Sequence, residues 1–103
     1  MATSTFKNAT DTGVGTSFST AYTVPASTTA VMIGMTVANL GVSQIAIEVK
    51  CASTHLVKGA AIPSGSSLSV LDGKIILEAG DTVEVKSDTA ASADVIVSIL
   101  EQA

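Results

Sequence analysis

An apolar residue recurs at every second position in several stretches, and this period constrains the fold more than any other feature. It runs through SFSTAYTV (17–24), QIAIEVKC (44–51) and TVEVK (82–86). Successive side chains of a strand point to opposite sides, so each stretch predicts a strand with one buried and one solvated face. No segment keeps an apolar period of 3.6 residues, and helix is therefore expected to be a minor element at most.

Two longer stretches, AVMIGMTVAN (30–39) and ADVIVSIL (93–100), are apolar on both faces. Such strands lie centrally in a sheet, or are covered on one face by the sandwich and on the other by a neighbouring subunit. Weaker strand patterns occupy 53–59, 66–71 and 74–78, with turn signals between them. The sequence therefore predicts an all-β, antiparallel β-sandwich of about eight strands. A jelly roll, an immunoglobulin-like sandwich and a small barrel all accommodate this number.

The chain has 103 residues, which is enough for a single domain with one core. Residues 13–103 are predicted to form that β-sandwich, and the polar residues 1–12 an N-terminal arm that is disordered or lies across a partner. Apolar residues make up 47% and charged residues only 14% of the sequence. Because exposed apolar area usually marks an interface, these proportions indicate an oligomer.

The charge composition argues against nucleic acid as a direct partner. The net charge is −4, with nine acidic residues, five lysines and no arginine, the residue that phosphate and guanine contacts favour. No apolar run approaches the ~20 residues of a membrane helix, and the polar N-terminus does not resemble a secretory signal. The lone Cys51 cannot form an internal disulfide, so we expect folding in a reducing cytosol.

The strongest candidate for chemistry is LEAGDTVEVK (77–86), where Glu78, Asp81 and Glu84 surround one glycine. A calcium site would need several converging oxygen ligands, and the segment lacks the D-x-[DN]-x-[DN]-G pattern. A tight turn is the better interpretation, with Gly80 at positive φ and Asp81 bonding local backbone. Asp72, before Gly73, has the same interpretation, since Asp-Gly is a strong hairpin signal.

Other candidates for catalysis or ligand binding are weaker. His55 is the only histidine and has no evident partner, and a pair with Cys51 would require a turn that brings the two together. TGVGTS (12–17) lacks the third glycine and the lysine of a phosphate-binding loop. A hydrolase or lyase that uses His55 and an acid remains a third hypothesis. The sequence predicts no enzyme, no metal and no cofactor.

Three segments in order resemble small virion proteins of tailed bacteriophages, of the capsid-decoration (cement) or short head- or tail-appendage type. They are AYTVPASTTAVMIGMTVANLG (21–41), HLVKGAAIPSGSSLSVLDGKIILEAGDTVEV (55–85) and ADVIVSILE (93–101). The resemblance implies a structural protein of the virion, assembled in the host cytoplasm, which binds the major capsid protein from outside as a homotrimer. It brings no catalytic residue to this sequence.

The leading hypothesis is thus a non-enzymatic decoration protein that stabilises a capsid. The alternative is a receptor- or glycan-binding module of a tail fibre, against which the scarcity of aromatic residues counts. The two-sided strands are expected to build the core and part of the subunit interface, and residues 1–12 and 12–17 to contact the capsid. The residues assigned to these interfaces are Phe6, Lys7, Phe18, Val31, Ile33, Met35, Val95, Val97 and Ile99.

Overall fold

A computed structural model describes residues 3–71 and 73–103, which form nine β-strands and no helix. The described residues thus include no helix long and apolar enough to cross a membrane. The predicted all-β class is confirmed, and so are the eight strand regions predicted after residue 13. The strands are β1 (Ser4–Val14), β2 (Ser19–Thr23), β3 (Thr29–Asn39), β4 (Ile45–Cys51), β5 (Thr54–Ile62), β6 (Ser67–Ser69), β7 (Ile75–Leu77), β8 (Thr82–Ser87) and β9 (Ala93–Gln102).

The strands form two antiparallel sheets that stack into a sandwich. Sheet 1 has the order β1-β9-β3-β6, with β7 also paired to β3, and sheet 2 has the order β2-β8-β4-β5. If β6 and β7 are taken as one interrupted strand, the pairs are nested: β4 with β5, β3 with β6 and β7, β2 with β8, and β1 with β9. This nesting is that of a long hairpin rolled into two sheets, which is the jelly-roll topology. Of the three arrangements that the sequence left open, the chain therefore adopts the jelly roll.

The core lies between the sheets and is built from the inward residues of each alternating strand. In β4 and β8, buried and half-buried positions alternate without a break, as the period of two predicts. Polar atoms of buried side chains all have hydrogen-bond partners among the described residues. The largest fully buried side chains are Met32, Met35, Ile45, Ile47, Ile62, Leu77, Ile99, Val14, Val24, Val37, Val49 and Val83.

The N-terminal segment differs from the predicted arm. Residues 4–11 pair in register with residues 102–95 of β9, and the backbone N–H of Thr3 donates to Ala103 at 2.8 Å. The physical reason is that β9 would otherwise present an open edge, whose backbone groups a strand of any polarity can satisfy. A polar segment without alternation thus becomes the edge strand of sheet 1. Met1 and Ala2, the rest of that prediction, lie outside the described residues.

Hydrogen bonds of polar side chains join the two sheets at several points, one of them between Ser19 of β2 and the Asp11 carboxylate of β1. Near one end, buried Asn39 of β3 donates from Nδ2 to the carbonyl of Ile62 in β5, at 2.9 Å. Elsewhere, the hydroxyl of Tyr22 in β2 donates to the carboxylate of Glu101 in β9, and Lys7 Nζ lies 3.4 Å from the same carboxylate. Burial, and then the bond and charge of Glu101, raise the pKa of Tyr22 well above its ordinary value. The hydrogen bonds of Asn39 and Tyr22 each connect a strand of sheet 1 to a strand of sheet 2.

Candidate functional site

The acidic segment 77–86 is a turn followed by a strand, as the sequence predicts. Gly80 has φ +87, and the backbone N–H of Asp81 donates to the Glu78 carbonyl at 3.0 Å. The Asp81 carboxylate in turn accepts from the Glu78 N–H at 2.9 Å. The described residues contain no group of three or more His, Cys, Asp or Glu side chains suited to a metal ion. Asp72 of the second predicted turn lies outside them.

Cys51 and His55 do not form a catalytic pair. A tight hairpin joins β4 to β5, but Cys51 points into the core while His55 lies on the outward face. Burial, with a smaller effect of the Asp81 charge, raises the pKa of the Cys51 thiol to about 11, so the thiol is protonated near neutral pH. His55 Nε2 lies 2.7 Å from a carboxylate oxygen of Glu48 and is engaged in a surface hydrogen bond.

The outward face of sheet 2 is a lattice of alternating charges. Glu48 of β4 lies opposite Lys86 of β8, and their charged atoms are 3.6 Å apart. One step further along the strands, Lys50 lies opposite Glu84. The lysine ammonium groups also flank the ring of Phe18, at 4.2 Å for Lys50 and 5.0 Å for Lys86 from its centre. The hydrogen bond to His55 and the charge of Lys86 lower the pKa of Glu48.

A cleft of about 410 Å³ lies beside this lattice, where Gly59 interrupts the pairing of β4 with β5. Glu48, Lys58, Lys86 and Asp88 contribute to its lining. Both oxygens of the Glu48 carboxylate already have partners, and Asp88 Oδ1 accepts from the Ala46 N–H at 3.2 Å. The carboxylates that line the cleft are therefore already engaged in contacts within the fold.

The outward face of sheet 1 is different, because an apolar row crosses four of its strands. Phe6 of β1 lies opposite Leu100 of β9. Leu100 lies opposite Val31 of β3, which in turn lies opposite Ile76 of β7. Directly opposed residues in antiparallel strands share one face. Phe6 is 76% and Ile76 69% exposed, while Leu100 and Val31 are half-buried between them. We call these four residues the apolar row.

Few charged side chains surround the apolar row. Ile33, at the register shift between β3 and β9, is 42% exposed, and Ile96 of β9 is 45% exposed. Among the outward residues of the sheet 1 strands, Asp94 is the one charged side chain, and it lies at the far end of β9. It is six positions from Leu100, which is about 20 Å along a strand. Lys74 and Glu78, both exposed, flank β7 just outside the strand and have opposite charges.

The residues predicted for interfaces divide into two groups. Met35, Val95, Val97 and Ile99 are at most 3% exposed and lie between the sheets, so they are core residues that a second molecule cannot reach. The reason is that a strand apolar on both faces does not reveal which face points inward. On the surface, Phe6, Val31 and Ile33 belong to the outward face of sheet 1, Lys7 pairs with Glu101, and Phe18 packs under lysines of sheet 2.

Sequence reasoning missed the other outward residues of sheet 1. Leu100, Ile76 and Ile96 were not assigned to an interface, although their neighbours in the sheet were. No local pattern distinguishes them, because the apolar row combines residues from four strands that are up to 94 positions apart in the chain. Only the strand order brings these residues to one level of the sheet.

The loop at 12–17 is part of the end of the sandwich. Gly13 has φ +63 at the register shift of β1, and its N–H donates to Asp94 at 3.0 Å. The carbonyl of Gly15 accepts from the N–H of Ser87 at 2.8 Å. These bonds give the two glycines a structural role, and leave Thr16 and Ser17 exposed.

Comparison with solved structures shows that similar folds are known. This chain resembles a chain from the structure described as "Bacillus endospore appendages form a novel family of disulfide-linked pili". The TM-score is 0.56, with 17% sequence identity over 97% of this chain and 86% of that chain. At this identity the similarity shows the fold alone. No protein family description and no curated protein matches the sequence.

Proposed function

We propose that this protein is a non-enzymatic structural subunit that decorates the outside of a phage capsid as a homotrimer. Its partners are further copies of itself and the major capsid protein, and its place is the virion. Three segments of this chain support the proposal, because in this order they resemble small phage virion proteins. They are AYTVPASTTAVMIGMTVANLG, HLVKGAAIPSGSSLSVLDGKIILEAGDTVEV and ADVIVSILE. The arrangement of Cys51 and His55 on opposite sides of sheet 2 supports a role without catalysis.

The observation that carries the structural role is the uncharged outward face of sheet 1. A protein with nine acidic residues and five lysines has placed almost none of these charges there. Instead it exposes most of the apolar side chains of Phe6 and Ile76, and an assembly could bury this apolar surface. Each decoration subunit would add its interface area only on the assembled shell, and three linked copies would strengthen binding through multivalency.

Capsid contact is proposed for the loop at residues 12–17 and the outer edge of β1. The loop exposes Thr16 and Ser17 at one end of the sandwich, and the outer edge of β1 has backbone groups that none of the nine described strands pairs. Deletion of residues 2–12 does not test this proposal cleanly, because it removes most of an edge strand and uncovers β9. A substitution in the loop tests it without that damage.

The test is co-sedimentation of the purified protein with empty expanded capsids of the phage that encodes it. We expect saturable binding and a higher temperature of capsid disruption. Thr16→Glu should weaken binding to the capsid. Thr54→Glu, the same change at an exposed residue at the start of β5, should not. Absence of wild-type binding would overturn capsid decoration. Equal binding by both variants would overturn the role of the loop alone.

A second candidate is a subunit of a fibrous appendage, which two observations favour. The fold resembles that of a chain from disulfide-linked pili, and the molecule is elongated, at 49 × 21 × 20 Å. The single cysteine of this chain is buried, so such a fibre would be held by non-covalent contacts. Electron microscopy of concentrated protein separates the candidates, because fibres support an appendage and discrete particles support a closed oligomer.

A further inference from the structure

We propose that the outward face of sheet 1, centred on the apolar row of Phe6, Leu100, Val31 and Ile76, binds a second copy of this chain. This inference rests on the proposed structural function and names the surface that would join the subunits. It differs from the sequence-based assignment, in which four of the six interface positions on β3 and β9 fall inside the core. The outward residues of these strands are the ones that a second molecule can reach.

The first argument is the area of the face. Sheet 1 is four strands wide, or about 19 Å, and the 11 residues of β3 extend about 36 Å. Their product is roughly 700 Å², close to the ~800 Å² that each partner contributes to a standard interface. Sheet-on-sheet packing covers such a face completely, at a separation of about 10 Å. The face is therefore large enough for a stable contact with another sheet.

The second argument concerns charge. Two copies of a chain with a net charge of −4 repel each other, most strongly where their charges approach most closely. Within the strands of sheet 1 the one outward charge, Asp94, lies about 20 Å from Leu100, which exceeds the ~8 Å screening length at physiological salt. Just outside β7, exposed Lys74 and Glu78 flank Ile76 with charges of opposite sign. Contact through this face thus opposes the least charge, and no buried ion pair is needed. The outward face of sheet 2 carries several charges at close spacing, so contact through that face would oppose more charge and would bury ion pairs.

The third argument is that the row is self-complementary and incompletely covered. Aromatic and branched side chains from four strands form one apolar level, which packs as well against its own copy as against any other apolar surface. Residues 4–8 of β1, on either side of Phe6, are exposed on both faces. A sheet edge that contributes so little to its own core has more apolar contact to gain from a neighbouring copy.

The test compares row variants with a matched variant outside the row. The double variant Phe6→Glu/Ile76→Glu replaces two exposed side chains, so the fold should persist, as circular dichroism can verify. Val42→Glu makes the same kind of change at a loop residue that is 96% exposed, and serves as the control. Light scattering from micromolar to millimolar concentration gives the absolute mass of each protein.

We expect the wild type and Val42→Glu to be oligomers with equal dissociation constants. The double variant should have a dissociation constant at least about 100-fold higher, because each glutamate would lose its hydration in an apolar contact. Phe6→Ser/Ile76→Ser, which removes apolar area without adding charge, should be intermediate and replaces the first variant if that one unfolds. An unchanged mass for the folded row variants would overturn this surface, while capsid binding could still stand. A monomeric wild type would overturn the self-association itself.

Discussion

The outward faces of the two sheets are built on the same alternating strands but carry opposite chemistry. In sheet 2, Glu48, Lys50, Glu84 and Lys86 occupy the outward positions and neutralise one another across the strands. In sheet 1, the outward positions carry hydroxyl, amide, small and apolar side chains, with Asp94 as the one charge within the strands. Both sheets contribute buried inward residues to one shared core, so the core does not require this difference.

This contrast shows that inward and outward positions are under separate physical requirements. An inward residue must fill the core, and both sheets meet that need chiefly with valine and isoleucine. An outward residue must suit its surroundings, whether water or another protein. Charged lattices suit water and discourage edge-to-edge pairing. The outward face of sheet 1 is suited to a protein surface instead, and four predictions test or sharpen this comparison.

The largest effect is expected inside the sandwich, on the inward side of β9. Ile99→Ala should lower the free energy of unfolding by about 3 kcal/mol, because Ile99 is completely buried and the change leaves a cavity. Ile96→Ala, on the outward side of the same strand, should lower it by less than about 1 kcal/mol, since Ile96 is 45% exposed. Urea denaturation of the dilute proteins measures both values. Equal losses would contradict the separation of the two faces.

Much of the fold could be predicted from the period of two, whereas the face that each strand buries could not. β4 and β8 have charges at alternate positions, so their inward residues are evident from the sequence. β3 and β9 are apolar at both sets of positions, and only the packing of the sheets selects Met35 and Ile99 for the core. The same limit hid the apolar row, whose members are neighbours through strand order alone.

β1 was missed for a different reason. Its polar sequence has no apolar alternation, and its strand conformation comes from backbone bonds to β9. Those bonds depend on where β9 lies in sheet 1, which is information from the far end of the chain. The turn at Gly80 was predictable, because glycine followed by aspartate acts locally through positive φ and a side-chain bond to the backbone.

The next largest effect concerns the bond that holds the sheets together at Asn39. Asn39→Ala should lower the free energy of unfolding by about 2 kcal/mol, because it leaves the buried carbonyl of Ile62 without its donor. The same side chain accepts from the N–H of Gly41 at 2.8 Å and so also orders the β3–β4 loop. Urea denaturation measures the loss, with Thr54→Ala, an exposed change in the β4–β5 hairpin, as the control. A loss no greater than that of the control would show that packing alone keeps the sheets stacked.

A smaller effect is expected at the second link, between Tyr22 and Glu101. Tyr22→Phe should lower the free energy of unfolding by about 1 kcal/mol, since the ring remains and only the hydroxyl bond is lost. Because the pKa of Tyr22 is raised in the folded state, its contribution is complete below the ordinary tyrosine pKa of about 10. That contribution is lost as the pH rises further. Denaturation at pH 8 and at pH 11 (roughly one unit beyond the ordinary tyrosine pKa) should therefore separate the wild type from the variant less at the higher pH.

The smallest effect is expected on the charged face of sheet 2, at Glu48. The bond to His55 and the charge of Lys86 lower its pKa in the folded state. Ionised Glu48 therefore stabilises the fold above the ordinary glutamate pKa of about 4.3, and this contribution is lost as the pH falls through the lowered value. Glu48→Gln should lose less stability than the wild type on acidification from about pH 5.5 to below that range. Glu84→Gln, which removes a charge from the same face without touching His55, is the matched control.

Because the charges of Glu48 and its neighbours are exposed, salt should weaken the contribution of Glu48 to stability. Salt should not change the difference between the losses of unfolding free energy in Ile99→Ala and Ile96→Ala. If the acid sensitivity of Glu48→Gln equals that of the wild type, the charges of sheet 2 do not stabilise the fold. The two outward faces would then differ in the surroundings that they suit, water or protein, and not in what they contribute to stability.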